Sequence, residues 1–334
     1  MKLLIQIPCL NEQDQLPAML ADLPRFVEGF DSVEWLVVDD GSTDRTVDVA
    51  LENGVDHIVR LPQNRGLASA FQSGLDACLK LGADVVVNTD ADNQYEAAAI
   101  PGLVAPLLAG KADIVVGDRD VRHSAEFSWL KIRLQLLGSW VVRQASGTDV
   151  ADVTSGFRAY SRDAMLRLVV INPYTYTIES IIQAGRTNAA IESAPVRSNL
   201  ATRESRLVGS MWGYVRRNAL TILRVFAAYQ PLKFFSAMSA VLFVCAAISF
   251  VPFIKDWAAT GSTDGHLQSI IVGSTLTIAG FQTVVLAVVG DLIASHRAVS
   301  QQVLERVRKL ELSDSVASTD YIDLRAQPPS EEYV

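Results

Sequence analysis

Val85-Val86-Val87-Asn88-Thr89-Asp90-Ala91-Asp92-Asn93-Gln94 joins a short apolar run to two carboxylates spaced two residues apart. A continuous β-branched run bounded by turn residues reads as a buried parallel strand. Extended backbone sends residues i, i+2 and i+4 to one side. Asp90, Asp92 and the amide oxygen of Gln94 are therefore expected to face one point beyond the strand's carboxyl end, where open α/β sheets bind ligands. Clustered oxygens suit a hard cation, Mg²⁺ or Mn²⁺, which keeps some water and takes further ligands from a substrate's phosphates. A lone Asp-x-Asp can equally be turn chemistry, so its weight depends on the rest of the chain.

Outward from this stretch, strand-like and helix-like runs alternate as in βαβ units. Leu3–Ile7 precedes a helix near Gln13–Ala21, and Glu34–Val38 precedes one near Arg45–Asn53. His57–Arg60 leads into Gly66–Leu81, Asp84–Asn88 into Glu96–Ala109, and Asp113–Gly117 into Phe127–Ser146. The expected fold is α/β, a doubly wound, Rossmann-like and mostly parallel sheet. Its ligand edge would collect the loops at Pro8–Glu12, Asp39–Asp44, Asp90–Gln94 and Gly117–Arg119. The first loop has no Gly-x-Gly-x-x-Gly and the chain has no Walker loop, which argues against dinucleotide and P-loop sites. Val37-Val38-Asp39-Asp40-Gly41-Ser42-Thr43-Asp44 instead places acceptor-only carboxylates at a strand end, able to receive a base N–H or a ribose hydroxyl. The same residues also make a sound turn and N-cap.

The chain has 334 residues, a formal net charge of −8 and no long basic tract, which disfavours a nucleic-acid partner. Cys9, Cys78 and Cys245 lie far apart without metal-ligand spacing, as in a reducing compartment. Apolar content rises after Pro231. Leu232–Phe253 and Ser269–Ala294 are each long enough to cross a bilayer, giving a transmembrane hairpin over 231–295. Arg216, Arg217, Arg224 and Lys233 precede it, Arg297, Arg306, Arg308 and Lys309 follow it, and the connector Lys255–His266 carries one lysine. The expectation is a multi-pass protein of the plasma (inner) membrane, with a domain over 1–206 and both termini in the cytoplasm. Met1–Ile7 is short and lacks a small-residue cleavage site, so it reads as a first strand and not as a signal peptide. Within 207–230, Val208, Met211, Trp212, Val215, Ala219, Ile222, Leu223 and Phe226 share one third of a helical wheel, an interfacial pattern. In the tail, 296–334, Val299, Val303, Val307 and Leu310 line one side of a helix over Ala298–Leu312, expected to make homo-oligomer contacts. The stretch after Ser313 has a disordered composition.

Six segments resemble one family: IPCLNE at 7–12, VVDDGSTD at 37–44, NRG at 64–66, TDADNQY at 89–95, GDR at 117–119 and DVTSGFRAYSR at 152–162. In this order they are similar to the family 2 glycosyltransferases of GT-A fold, and among these to polyprenyl-phosphate glycosyltransferases related to dolichol-phosphate mannose synthase. The likeness covers about residues 3–206. It implies inverting transfer of a sugar from a UDP- or GDP-sugar to a polyprenyl phosphate (undecaprenyl, decaprenyl or dolichyl) at the cytoplasmic face of the membrane. Carried over residue by residue, it implies that Pro8, Asn11, Glu12, Asp39, Asp40 and Asp90 hold the nucleotide, and that Asp90, Asp92 and Gln94 hold the metal. Arg119 and Arg133 resemble phosphate-contacting arginines, and Arg203, Ser205 and Arg206 a segment that meets the lipid acceptor. Arg158, in SGFR, is expected to position a loop or pair with a carboxylate. Asp152 is a candidate catalytic residue, orienting Arg158 or serving the acceptor.

One position departs from the pattern. Where some polyprenyl-phosphate glucosyltransferases carry an aspartate beside Phe-Arg, this chain has Gly156, so no protein base is carried over there. The chemistry can proceed without one, because a phosphate monoester with a second pKa near 6 is already largely a dianion at pH 7. A processive polysaccharide synthase is the nearest rival, but its Gln-x-x-Arg-Trp motif and additional membrane helices are missing from the sequence. A non-catalytic lipid-binding partner would have no need of Asp90, Asp92, Arg119 and Arg133.

Overall fold

The computed structural model describes residues 1–119, 138–140, 142–144, 146–170, 176–197, 199, 223–224, 226–261, 265–314 and 322–323. Arg133, Arg203, Ser205, Arg206, all of 207–222 and most of the expected helix at Phe127–Ser146 lie outside these residues.

The strands are β1 (Lys2–Cys9), β2 (Ser32–Asp39), β3 (His57–Arg60), β4 (Val85–Asn88), β5 (Ile114–Asp118), β6 (Arg158–Ser161), β7 (Ile191–Pro195) and the two-residue β8 (Ile322–Asp323). They form one sheet in the order β7-β5-β6-β4-β1-β2-β3-β8. Helices α1 (Leu16–Asp22), α2 (Thr46–Glu52), α3 (Leu67–Lys80) and α4 (Ile100–Leu108) connect the first five strands, as the alternation predicts. The pairs β1–β2, β1–β4, β2–β3 and β5–β7 are parallel.

The inner strands are apolar for a physical reason: helices on both faces shield every side chain from water. Leu3, Leu4, Ile5 and Ile7 of β1 and Val86 and Val87 of β4 are completely buried. The main polar exception, Gln6, is satisfied by donating to the Phe71 carbonyl and to Asn88 Oδ1. α3 can lie over it only because residue 74 is glycine, since a Cβ there would sit 2.5 Å from the Gln6 amide carbon.

Two strands depart from the parallel order: the edge strand β8, antiparallel to β3, and β6, which runs antiparallel between β4 and β5. Its register sets Arg158 opposite both Asn88 and Val116. Because β6 points the other way, the loop that enters it, residues 152–157, arrives at the edge where β4 and β5 end. After β6 come α5 (Arg162–Arg167) and α6 (Tyr176–Arg186).

Two compact units divide the chain, residues 1–215 with 301–334 and residues 216–300. The second holds α7 (Pro231–Thr260) and most of α8 (Leu267–Asp314). Both helices are long and apolar enough to cross a membrane, with mean hydropathies of 2.3 and 1.9. They pack closely through small residues, as membrane helices do. A Cβ on Gly280 would meet the Phe243 ring at 2.8 Å, and Ser239 Oγ donates to the Gly280 carbonyl at 2.9 Å.

Candidate active site

A cleft opens at the carboxyl ends of β1, β2 and β4. Its lining includes Pro8 and Glu12 from the first loop, Asp40 from the second, Asn64 and Gly66 ahead of α3, and Asp90 and Asp92 after β4. Each wall follows from local chemistry. Asp40 accepts the backbone N–H groups of Arg65 at 2.8 Å and Gly66 at 2.9 Å, which fixes the Asn-Arg-Gly turn at the start of α3. Glu12 is set by its own backbone, which donates to Thr46 Oγ1 at 2.9 Å.

Two residues expected on the nucleotide hold the loops together in this structure. Asn11, in the left-handed conformation at φ +54°, accepts the Thr43 N–H, and its own N–H donates to Ser42 Oγ. Asp39 is completely buried, with Oδ1 accepting the Ser42 N–H and Oδ2 lying 3.5 Å from Arg60 Nε. Neither lines the cleft.

Asp90 and Asp92 stand together, but Gln94 does not join them in the cleft lining. The expected alternation fails because residues 91 and 92 already form a turn and Asn93 is left-handed at φ +54°. Burial first, and the Asp92 charge second, push the Asp90 carboxyl up to about 6, against the pull of Arg119 and Arg158. A divalent cation would relieve this crowding. The described residues hold no group of three or more His, Cys, Asp or Glu suited to a metal. Two carboxylates fit a hard cation that completes its shell with water and phosphate oxygens.

The loop entering β6 lies against Asp90, outside the lining of this cleft. Arg119, just past β5, donates through Nε to Asp152 Oδ2 at 2.7 Å and through Nη2 to Oδ1 at 3.2 Å, and also reaches Thr154 Oγ1. Burial alone would push the Asp152 carboxyl up. The Arg119 bond and charge, with bonds from Thr154, outweigh it and hold the group below its ordinary value. Asp152 therefore orients Arg119, and the expected partnership with Arg158 is replaced. Arg158 is completely buried and donates to the carbonyls of Ser155, Thr177 and Val153 and to Ser180 Oγ. It ties the loop to the start of α6.

Gly156 lies directly against Asp90. A Cβ there would come within 2.8 Å of the Tyr176 hydroxyl and 2.9 Å of Asp90 Oδ2, so the site has no room for an aspartate at 156 without displacement of the Asp90 carboxylate. Tyr95 packs on the same loop: its hydroxyl accepts the Gly156 N–H at 3.1 Å, and its ring lies 5.8 Å from the Arg119 guanidinium carbon. Tyr95 and the Asn64-Arg65-Gly66 turn stood within quoted motifs but had no role from sequence. Asn-x-Gly is a turn signal that could have placed the latter.

The profile of glycosyl transferase family 2 matches residues 4–168. An undecaprenyl-phosphate mannosyltransferase of Micrococcus luteus is 30% identical over 206 residues, 59% of this chain and 83% of that protein. The chain belongs to glycosyl transferase family 2. A polyprenol monophosphomannose synthase of Mycolicibacterium smegmatis is 28% identical over 204 residues, 58% of this chain and 76% of the relative. Among solved structures, the glucosyl-3-phosphoglycerate synthase of Mycobacterium tuberculosis, in complex with Mn²⁺, UDP-glucose and phosphoglyceric acid, superposes with a TM-score of 0.52. The match covers 66% of this chain and 79% of that one at 23% identity, a likeness of fold. This glycosyltransferase thus shares the GT-A architecture, with its cleft at the edge where that fold's strands end.

Proposed function

We propose that this glycosyltransferase moves a sugar, with inversion, from a UDP- or GDP-sugar to a polyprenyl phosphate at the cytoplasmic face of the membrane. The observation that carries the reading is Asp90, set between the Asp92 charge and the Asp152-held Arg119 at one strand edge, in a chain with two helices apolar enough to span a bilayer. The relatives named for undecaprenyl-phosphate and polyprenol-phosphate chemistry support the acceptor class.

In this reading Asp40, Glu12 and Pro8 border the base and ribose, and Arg119 meets the donor's diphosphate. Asp90 and Asp92 hold Mg²⁺ or Mn²⁺, which when bound neutralises phosphate charge as the bond to the leaving group breaks. An oxygen of the acceptor phosphate forms the new bond to the anomeric carbon while the old bond to the diphosphate oxygen breaks, and the nucleoside diphosphate leaves. No proton has to be removed from a dianionic acceptor, which agrees with the absence of space for a side chain at Gly156. Arg203, Ser205 and Arg206 are proposed to receive the acceptor's phosphate, and Arg133 to assist at the diphosphate.

The test is turnover of a panel of UDP- and GDP-sugars by purified protein with and without a short polyprenyl phosphate. Product should require the lipid phosphate, vanish in excess chelator, return with Mg²⁺ or Mn²⁺, and be nearly abolished by Asp92→Asn in a folded protein. Full turnover in chelator, or with no lipid acceptor, would overturn the proposal.

A further inference from the structure

The last turns of α8 carry two faces with different fates. Arg308 donates to the Leu168 carbonyl at 2.7 Å and to Asp76 Oδ1 at 2.9 Å, and Glu305 lies 3.6 Å from Arg167. These contacts hold one face of the helix on α3 and α5. Val303, Val307 and Leu310 lie on the other side of the helix and are 55%, 42% and 64% exposed.

The spacing of these three residues is that of a heptad repeat, with Val303 at d, Val307 at a and Leu310 at the next d. The docked residues then take outward positions, Glu305 at f and Arg308 at b, so domain docking and a coiled-coil seam do not compete. A β-branched residue at a followed by leucine at d is the combination that favours two parallel strands. Arg306 occupies g and Glu311 the e position five residues on, the spacing at which g and e side chains meet across a parallel pair. An antiparallel pair would instead bring g against g and set Arg306 beside its own copy.

We propose that Val303, Val307 and Leu310 form the seam of a parallel two-stranded coil between two copies of this chain, with Arg306 of each facing Glu311 of the other. The inference rests on the membrane topology proposed above. Two copies whose α8 helices leave one membrane in the same sense present their tails in parallel, the orientation that the charge pattern requires. Anchoring in a shared membrane also raises the effective concentration of the tails, which compensates for a seam of only three core positions.

The experiment is cross-linking in native membranes with a short bismaleimide, in a Cys245→Ser background in which the remaining Cys9 and Cys78 are buried. Single cysteines at Val303 and Leu310 should give adducts at twice the chain mass, about tenfold more than a cysteine at the exposed c position Gln302. Arg306→Glu should lower the Leu310 adduct by about tenfold, and adding Glu311→Arg should restore it. Equal yields at the three positions, no recovery in the double variant, or adducts at another mass, signifying a different protein, would overturn the coil. A membrane-bound chain without adducts would sink the coil alone. A chain found in the soluble fraction would overturn the topology and, with it, the parallel orientation.

Discussion

Arg119 and Asp152 lie side by side at the ligand edge, with two nitrogens of the guanidinium on two oxygens of the carboxylate, at 2.7 and 3.2 Å. The pair joins the end of β5 to the loop entering β6. Since the arginine meets the donor's diphosphate in the proposed reaction, the aspartate sets where positive charge is presented. Asp152→Asn should lower kcat/KM for the nucleotide sugar by roughly 10- to 100-fold, because a misplaced charge forfeits positioning. The KM for the lipid acceptor should change far less. Arg119→Lys should not substitute, since an ammonium cannot make the bidentate contact. Because the folded-state carboxyl is held below its ordinary value, the stability that it contributes is present above the ordinary carboxylate range and lost as pH falls through the lowered value. Steady-state kinetics with the donor varied would decide; an unchanged Asp152→Asn enzyme would remove the residue from the site.

Metal affinity should depend on pH through Asp90. Its carboxyl is raised to about 6, so a proton competes with the cation below that pH. The apparent Kd for Mn²⁺, measured without acceptor so that the lipid phosphate does not titrate in the same range, should rise about tenfold per pH unit below 6. The sign for stability is opposite. A carboxyl raised on folding binds its proton more tightly in the native state, so metal-free protein should lose stability as pH rises from the ordinary carboxylate range through about 6. Added Mn²⁺ should restore it at neutral pH. A Kd that is flat between pH 5 and 7 would contradict the assignment.

Gly156→Ala tests the contact between the β6 loop and Asp90. The added carbon meets the Tyr176 hydroxyl and Asp90 Oδ2 at under 3 Å, and over-packing of this kind costs roughly 1–3 kcal/mol. Thermal unfolding should shift downward, and Mn²⁺ affinity should fall together with activity. Wild-type metal binding in this variant would mean that the loop and Asp90 are independent.

Arg158→Ala should be among the most damaging changes far from the cleft's opening. It strands three carbonyls and a hydroxyl in a buried place, a loss of roughly 3–5 kcal/mol by comparison with broken buried charge networks. Chemical denaturation would measure it, and a change below about 1 kcal/mol would show that water takes over these bonds.

Orientation can be read by labelling. A cysteine replacing Ser262, in the connector between α7 and α8, should react with an impermeant maleimide added outside intact cells, whereas one placed in the tail should not. The reverse pattern would invert the proposed topology.

Much of this site is legible from sequence because parallel strands announce their ends: an apolar run stops and carboxylates begin. Asp40, Asp90 and Asp92 follow from that rule alone. The rule does not tell whether a carboxylate turns outward to a ligand or inward to its own loop, and Asp39 turns inward to the Ser42 N–H. Nor does it survive a single left-handed residue, as Gln94 shows after Asn93. The four residues of β6 carry no periodicity that distinguishes antiparallel from parallel pairing. The Arg119–Asp152 contact depends on that pairing, and so motif order could name both residues without joining them.

The reversed direction of β6 also sets when the enzyme can become active. In the proposed reading the residues that border the nucleotide precede Asp92 in the chain, whereas the strand that ends the 152–157 loop slots between β4 and β5. Such non-local pairings form late, after the loop-closure entropy of the intervening chain has been met. In the proposed reading, catalytic competence therefore requires that β6 be seated in the sheet.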